Sequence, residues 1–382
     1  MNLISNVKRK LDMVCEKNKT DLKIVWDIII LFTISRLLML VIALICNQIT
    51  GVNLGFVDRM NQFDAGWYRG IIENGYTLIP TQGNQANWAF SPLYPMTVSL
   101  VNYILPFGID WNGIIVSNIC VCIGTYFGVK YYTIRTGNDN TTFFVFMCMC
   151  SPYTFYFSSM YAEGMVFMLT CIALYHISKH QYVYAGLFIG FTVLARSYNI
   201  YILIIMLISI YTDNFDRLSI RNIGCFIKKC FTNSNYFLGI LLCPLGLFLY
   251  LLYMYIHIGD IWAFWGMTKK SWGSTTMIDG LMSQNLQYIY LTAIIILILF
   301  IGLYLIKHKM YPEGILAVVI AFMHRNGINN IGRHSISMVF PITAVSIFAQ
   351  KNKKYEGILY ASLTVFECVL IYLWYCGNAV MI

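Results

Sequence analysis

Tyr94-Pro95-Met96-Thr97-Val98-Ser99-Leu100-Val101-Asn102-Tyr103-Ile104-Leu105-Pro106 is the segment whose reading decides the fold. Pro92, Pro95 and Pro106 bracket it, and at the helical rise its roughly 13 residues span about 20 Å. A hydrocarbon core of roughly 30 Å needs about 20 helical residues, so this run dips into a membrane rather than crossing it. A full crossing here would reverse every later loop.

Working outward, the chain has 382 residues, 58% of them hydrophobic and only 11% charged, with a mean hydropathy of +0.65. Apolar runs recur with no long polar domain between them, which predicts a single all-α, polytopic membrane domain over residues 1–382. The basic N-terminus (Lys8, Arg9, Lys10, Lys17, Lys19, Lys23) belongs in the cytoplasm. The run 25–47 then crosses outward, and without a small-residue cleavage site it is a retained helix. Residues 48–92 form a large first external loop with short interfacial helices. Further crossings follow at 111–132, 141–158, 162–178, 182–195, 199–211, 236–257, 286–306, 314–323, 335–349 and 358–374, with a second external loop at 258–285. This gives about eleven crossings and puts Lys130 and Arg135, Lys179, the Arg217 to Lys229 loop, Lys307 and Lys309, and Lys351 to Lys354 inside. The segments 182–195, 199–211 and 314–323 are too short to span alone, and helices that stop midway mark cavities.

The formal charge of +9 resides mostly in those short patches, where cytoplasmic loops and anionic lipid account for it, so nucleic acid is not the expected partner. The twelve cysteines show no CxxC spacing; Cys120 and Cys122, and Cys148 and Cys150, read as small hydrophobes in helices. The histidines lack HxH and HExxH spacing; Asp58 and Asp64, six apart, could together hold a divalent cation but lack further ligands, so no metal or other cofactor is expected. GxGxxG, Walker and GxSxG patterns do not occur.

The chemistry is expected in the polar insert Phe63-Asp64-Ala65-Gly66-Trp67-Tyr68, closed by Asn74-Gly75-Tyr76. Carboxylates at a membrane need water or a substrate beside them, and Asp58, Asp64 and Glu73 lie together here. Asp64 suits a general base, taking the proton of an acceptor hydroxyl that attacks a sugar's anomeric carbon while phosphate leaves. Equally, it suits a cap on a helix beginning at Ala65. Trp67, Tyr68 and Tyr76 either stack on sugar faces or join the interfacial aromatic belt. Arg196 fits phosphate oxygens or a structural pair with Glu163, and Arg333 fits phosphate or snorkels to the interface. Glu163, two residues after Tyr161, either serves the site or favours the first turn of its helix. Lys269, Lys270 and Trp272, near Trp262 and Trp265, bind acceptor or lipid phosphate, or anchor in headgroups.

With these residues assembled, the chain resembles the PIG-V type mannosyltransferases, a branch of the GT-C superfamily of multispan glycosyltransferases. The likeness rests on the insert just quoted, then Phe90-Ser91-Pro92-Leu93-Tyr94-Pro95, Ser151-Pro152 leading to Tyr161-Ala162-Glu163, Ala195-Arg196-Ser197, and Gly332-Arg333 with Phe340-Pro341. It implies a GT-C-like bundle, a polyprenyl-phosphate sugar donor, usually mannose, and a metal-independent inverting transfer on the outer face with Asp64 as the catalytic residue. It further implies a glycolipid or glycan acceptor in a microbial cell envelope, with the protein in the plasma membrane. The family often has Trp where Phe63 stands, Gly where Ser197 stands and Tyr where His334 stands. The alternatives from other classes are a lipid-linked sugar flippase or transporter, against which no convincing internal repeat is seen, and a subunit that only scaffolds an envelope complex.

Overall fold

The computed structural model describes residues 2–80, 85–217, 219–263, 276–325 and 330–378, and all the regular structure among them is helical. Helix α1 (Asn2–Thr50) leads into two short helices of the first loop, α2 (Phe56–Met60) and α3 (Ala65–Asn74), and then into α4 (Leu93–Ile104) and α5 (Ile109–Thr136). Next come α6 (Thr142–Cys150), α7 (Glu163–Ser178), α8 (Tyr182–Ala195), α9 (Ile202–Thr212), α10 (Ile223–Thr232), α11 (Ser234–Leu242) and α12 (Leu245–Ile258). The chain finishes with α13 (Met277–Met282), α14 (Leu286–Lys307), α15 (Tyr311–His324), α16 (Ile331–Ser337), α17 (Phe340–Lys351) and α18 (Glu356–Tyr375).

Among the described residues, five segments are long and apolar enough to cross a membrane: Lys19–Thr50 within α1, α5, α11 with α12, α14, and Lys353–Tyr375. A sixth results if α16 and α17, bent by 71° at their junction, count as one broken span. The deciding segment is the 12-residue helix α4, begun by Pro92 and stopped at Leu105 before Pro106. It spans about 18 Å, burying Tyr94, Pro95 and Val98 while Met96, Leu100, Tyr103 and Ile104 face outward. Helices α7, α8 and α15, and the Ser197–Thr212 segment ending in α9, are likewise apolar but short. Two expected elements differ. The crossing foreseen over 335–349 is broken at Met338 and Val339, between α16 and α17. The helix foreseen over 141–158 ends at Cys150, because Ser151 must be extended before Pro152 and Tyr153 takes a φ of 74°. The chain then runs through a 3₁₀ turn, Thr154–Phe157, deep inside the protein. Glu367 on α18 makes this possible: its Oε1 accepts the Phe155 N–H at 2.9 Å and the Thr154 hydroxyl at 3.1 Å.

Small residues draw the short helices together. A Cβ built on Gly186 of α8 would lie 1.9 Å from the Gly239 carbonyl oxygen of α11, and one on Gly246 of α12 would lie 2.0 Å from the Gly190 oxygen. Helices that lack a hydrophobic drive to associate in lipid gain from such close backbone approach. Gly186→Val should therefore part α8 from α11 and cost about 1–3 kcal/mol. A lower melting temperature and loss of the monodisperse species in size-exclusion chromatography are the expected readouts.

Helix α5 also orients the molecule. In its first turn Asp110 accepts from Arg69 (2.6 Å) and Asn61 (3.2 Å), residues of the acid-bearing insert. In its last turn Arg135 pairs with Glu313 of α15 (3.1 Å), which also accepts from the Tyr131 hydroxyl (2.6 Å). Lys130, one turn earlier, pairs with Asp21 of α1. The insert and the basic residues Lys130 and Arg135 thus sit at opposite ends of one crossing-length helix.

Candidate active site

Asp64 is delivered by a strained turn. Phe63 has a φ of 49°, a conformation costly for a bulky side chain, and its ring lies 5.2 Å from that of Trp374. The Asp64 N–H donates to the Tyr161 hydroxyl oxygen (2.8 Å), and that hydroxyl donates to the Gln62 carbonyl (2.9 Å). From the other side the Trp374 indole N–H donates to the Met60 carbonyl (3.0 Å). Buried Arg59 donates to Asn47 Oδ1 (3.0 Å), the Val52 carbonyl (2.8 Å) and the Tyr375 carbonyl (2.7 Å). These contacts clamp the loop between the ends of α1 and α18. Asp64 does stand at the N-cap of α3, yet its carboxylate makes no capping hydrogen bond. It turns inward to Arg333.

Two carboxylates and two guanidiniums meet there from four distant parts of the chain. Asp64 Oδ2 lies 2.8 Å from Arg333 Nη2, Arg333 Nε lies 3.5 Å from Glu163 Oε1, and that same oxygen lies 2.8 Å from Arg196 Nη1. Asp64, Glu163 and Arg333 are 8%, 1% and 4% exposed. Buried charges of this kind persist only when neutralised, and the formal sum here is zero. Neutralisation is not the same as saturation. Both Glu163 oxygens and Arg333 Nε lack a well-aligned hydrogen bond, so the cluster keeps acceptor and donor capacity. Arg196 also donates to the Tyr198 hydroxyl (2.9 Å), and the Arg333 guanidinium stands over the rings of Tyr156 (5.6 Å) and Tyr161 (5.4 Å).

The backbone around the cluster is forced into place. Tyr153, Asn330 and Val339 have φ of 74°, 64° and 70°, and with Phe63 they flank the segments that carry Asp64, Glu163 and Arg333. For β-branched Val339 this is a true outlier, of the sort that gathers at functional sites. Gly332 is fixed by its neighbour: a Cβ there would fall 2.2 Å from Tyr153 Cζ. Tyr153 cannot easily yield, since its hydroxyl meets that of Tyr290 at 2.5 Å. Gly332→Ala should destabilise by about 1–3 kcal/mol and displace Arg333, whereas adding Tyr153→Leu should recover part of the melting temperature. An unchanged melting curve for Gly332→Ala would remove this account.

The aromatic residues of the insert line one wall. Trp67 stacks on Phe90 (5.9 Å, 18°), and Tyr68 meets Phe90, Tyr94 and Tyr161 edge-on. Tyr76 donates to the Phe90 carbonyl at 2.6 Å. Burial pushes the Tyr68 phenol above its ordinary pKa, and the Arg196 charge partly offsets that. Asp58 is elsewhere: exposed, it accepts the Gly55 N–H (3.2 Å) in the first turn of α2 and does not share Asp64's surroundings. Glu73 is exposed as well. Among the described residues, no three acidic, histidine or cysteine side chains gather as metal ligands would. Lys269, Lys270 and Trp272 lie outside the described residues.

Sequence reasoning passed over several residues now in contact with the cluster or its supports. Tyr156 and Tyr198 touch the arginines, the His334 ring lies tilted against that of Tyr198 (4.2 Å, 34°), and buried Asn199 has neither amide atom paired. Trp374, Arg59 and Glu367 hold the loops from behind; of these, Glu367, an acid within the apolar run of α18, carried a signal that it needs a partner, and the other two carried none. A groove of about 780 Å³ opens between α1 and α5, lined by Phe32, Arg36, Trp111 and Asn118 and reaching Met60 and Ser158. None of the four charged residues lines it. No family model matches the chain, and no curated protein matches it in sequence.

Proposed function

We propose that this chain is a membrane glycosyltransferase of the GT-C kind, moving a hexose, with mannose the first choice, from a polyprenyl-phosphate donor to a cell-envelope glycolipid or glycan with inversion. The observation that carries the reading is the Asp64–Arg333–Glu163–Arg196 cluster, two acids and two arginines sharing one buried site. An isolated structural ion pair would need neither four partners nor acceptor capacity left over. In this reading the donor phosphate takes over Arg333 and Arg196, whose planar donors match its oxygens, and loosens their hold on the carboxylates. Asp64, the more accessible acid, then accepts the acceptor's hydroxyl proton. The freed oxygen bonds to the anomeric carbon as the carbon–oxygen bond to phosphate breaks, and the electron pair leaves with polyprenyl phosphate. Trp67, Tyr68, Tyr76 and Tyr161 supply an aromatic wall for the sugar, and no metal or other cofactor enters the step. The bundle of about eleven crossings, with the short helices lying partly within the membrane and this site facing the exterior of a microbial plasma membrane, belongs to the same proposal.

A flippase is the runner-up, favoured by the 71° break between α16 and α17, since broken helices also build transporter sites. Both readings meet in one experiment. Proteoliposomes given a labelled polyprenyl-phosphate hexose and envelope glycolipids should release polyprenyl phosphate and form a new glycosidic bond. Movement of intact donor between leaflets without bond formation would instead select the flippase.

A further inference from the structure

We propose that Cys46 and Cys376 form an intramolecular disulfide that staples the outer end of α1 to the end of α18. Their sulfurs lie 3.5 Å apart although 330 positions separate them in sequence. A sulfur–sulfur bond is about 2.05 Å long, so closure asks for an approach of about 1.5 Å, within the reach of side-chain rotation. The backbone around both residues is held. Arg59 donates at once to the side chain of Asn47, next to Cys46, and to the carbonyl of Tyr375, next to Cys376. The Thr50 hydroxyl donates to the Cys46 carbonyl (2.8 Å), and the Cys376 N–H donates to that of Tyr372 (3.0 Å). One guanidinium therefore keeps the two thiols in register.

The two thiols differ in access, which divides the chemistry. Cys376 is exposed and Cys46 is fully buried. A disulfide reagent meets Cys376 first: its thiolate attacks one sulfur of the reagent and expels the other as a thiol. The Cys46 thiolate then attacks Cys376 Sγ and expels the second half of the reagent. Two protons leave the protein and two electrons pass to the reagent, which is reduced to two thiols. The product closes nearly the whole chain into one loop and fastens the junction from which the residue 51–63 segment carries Asp64 inward. This inference does not depend on the proposed reaction, because neither cysteine touches the charged cluster.

Purified full-length protein in detergent is treated with oxidised glutathione, alkylated and digested. Mass spectrometry should find the peptides holding Cys46 and Cys376 joined, lighter by two hydrogens than the pair and separated again by dithiothreitol. Cys376→Ser should abolish the linked species, while Cys225→Ser, removing another exposed thiol, should leave it in full. The melting temperature of the oxidised protein should fall on reduction, and that of Cys376→Ser should not move. Cys376 arrested as a glutathione adduct, linked to a second molecule, or alkylated together with Cys46 would each overturn the proposal.

Discussion

Asp64→Asn is expected to remove sugar transfer and leave the fold intact. The substitution keeps the shape of the side chain, and its amide oxygen can still accept from Arg333 Nη2, now at 2.8 Å from Asp64 Oδ2. Arg333 keeps a counter-charge in Glu163 at 3.5 Å. What disappears is the group that takes a proton. A positioned general base contributes about 100- to 10,000-fold to rate, so kcat should fall by that order in proteoliposomes while KM for the polyprenyl-phosphate donor changes little. The chain should still fold, with a lowered melting temperature, because the buried cluster is left with two guanidiniums and one carboxylate. Turnover at the parent rate would reduce Asp64 to a counter-ion for Arg333. A far greater loss in Glu163→Gln than in Asp64→Asn would move the role of base to Glu163.

The elements of this fold were open to sequence reasoning because lipid allows few choices. Proline brackets and run length made residues 94–106 a short helix, and α4 is one. At 141–158 the reading of secondary structure failed because hydropathy alone was followed past Pro152, although an X-Pro step disfavours helix at the preceding residue. Crossing-length helices, five or six among the described residues, follow from length and composition alone. The charged cluster was half legible. An arginine at a helix junction, Arg196, and an acid at the head of an apolar helix, Glu163, are anomalies that call for partners, and they found each other. That Arg333 would bridge Asp64 and Glu163 depends on how α16 packs on α7 and on the 151–161 segment, which no local pattern encodes. Trp374 was invisible for the same reason, and Glu367, an acid inside an apolar helix, was an anomaly whose partner could not be read: only tertiary packing aims them at the Met60 and Phe155 backbones. Asp58 shows the converse, a nearby acid whose work is local capping.

Arg333→Met should have the largest effect on stability and on donor binding together. It removes the partner of Asp64 and one of the two partners of Glu163 in a place almost shut off from water. Leaving a buried charge uncompensated costs about 3–5 kcal/mol, so the melting temperature should fall sharply and the folded yield with it. Donor phosphate also loses half of its cationic cradle in the proposed reaction. Two further variants separate those effects. Arg333→Lys restores the charge without the planar fork, so it should regain most of the stability while transfer stays low, because a point charge cannot serve Asp64, Glu163 and a phosphate from one plane. Asp64→Asn combined with Arg333→Met removes both members of the pair and should be more stable than Arg333→Met alone, since the stranded carboxylate is gone. If the double variant were no more stable than the single one, the 2.8 Å pair would have no thermodynamic weight. If Arg333→Lys transferred sugar at the parent rate, phosphate recognition would rest with Arg196, which keeps its own contacts to Glu163 and Tyr198 whatever stands at position 333.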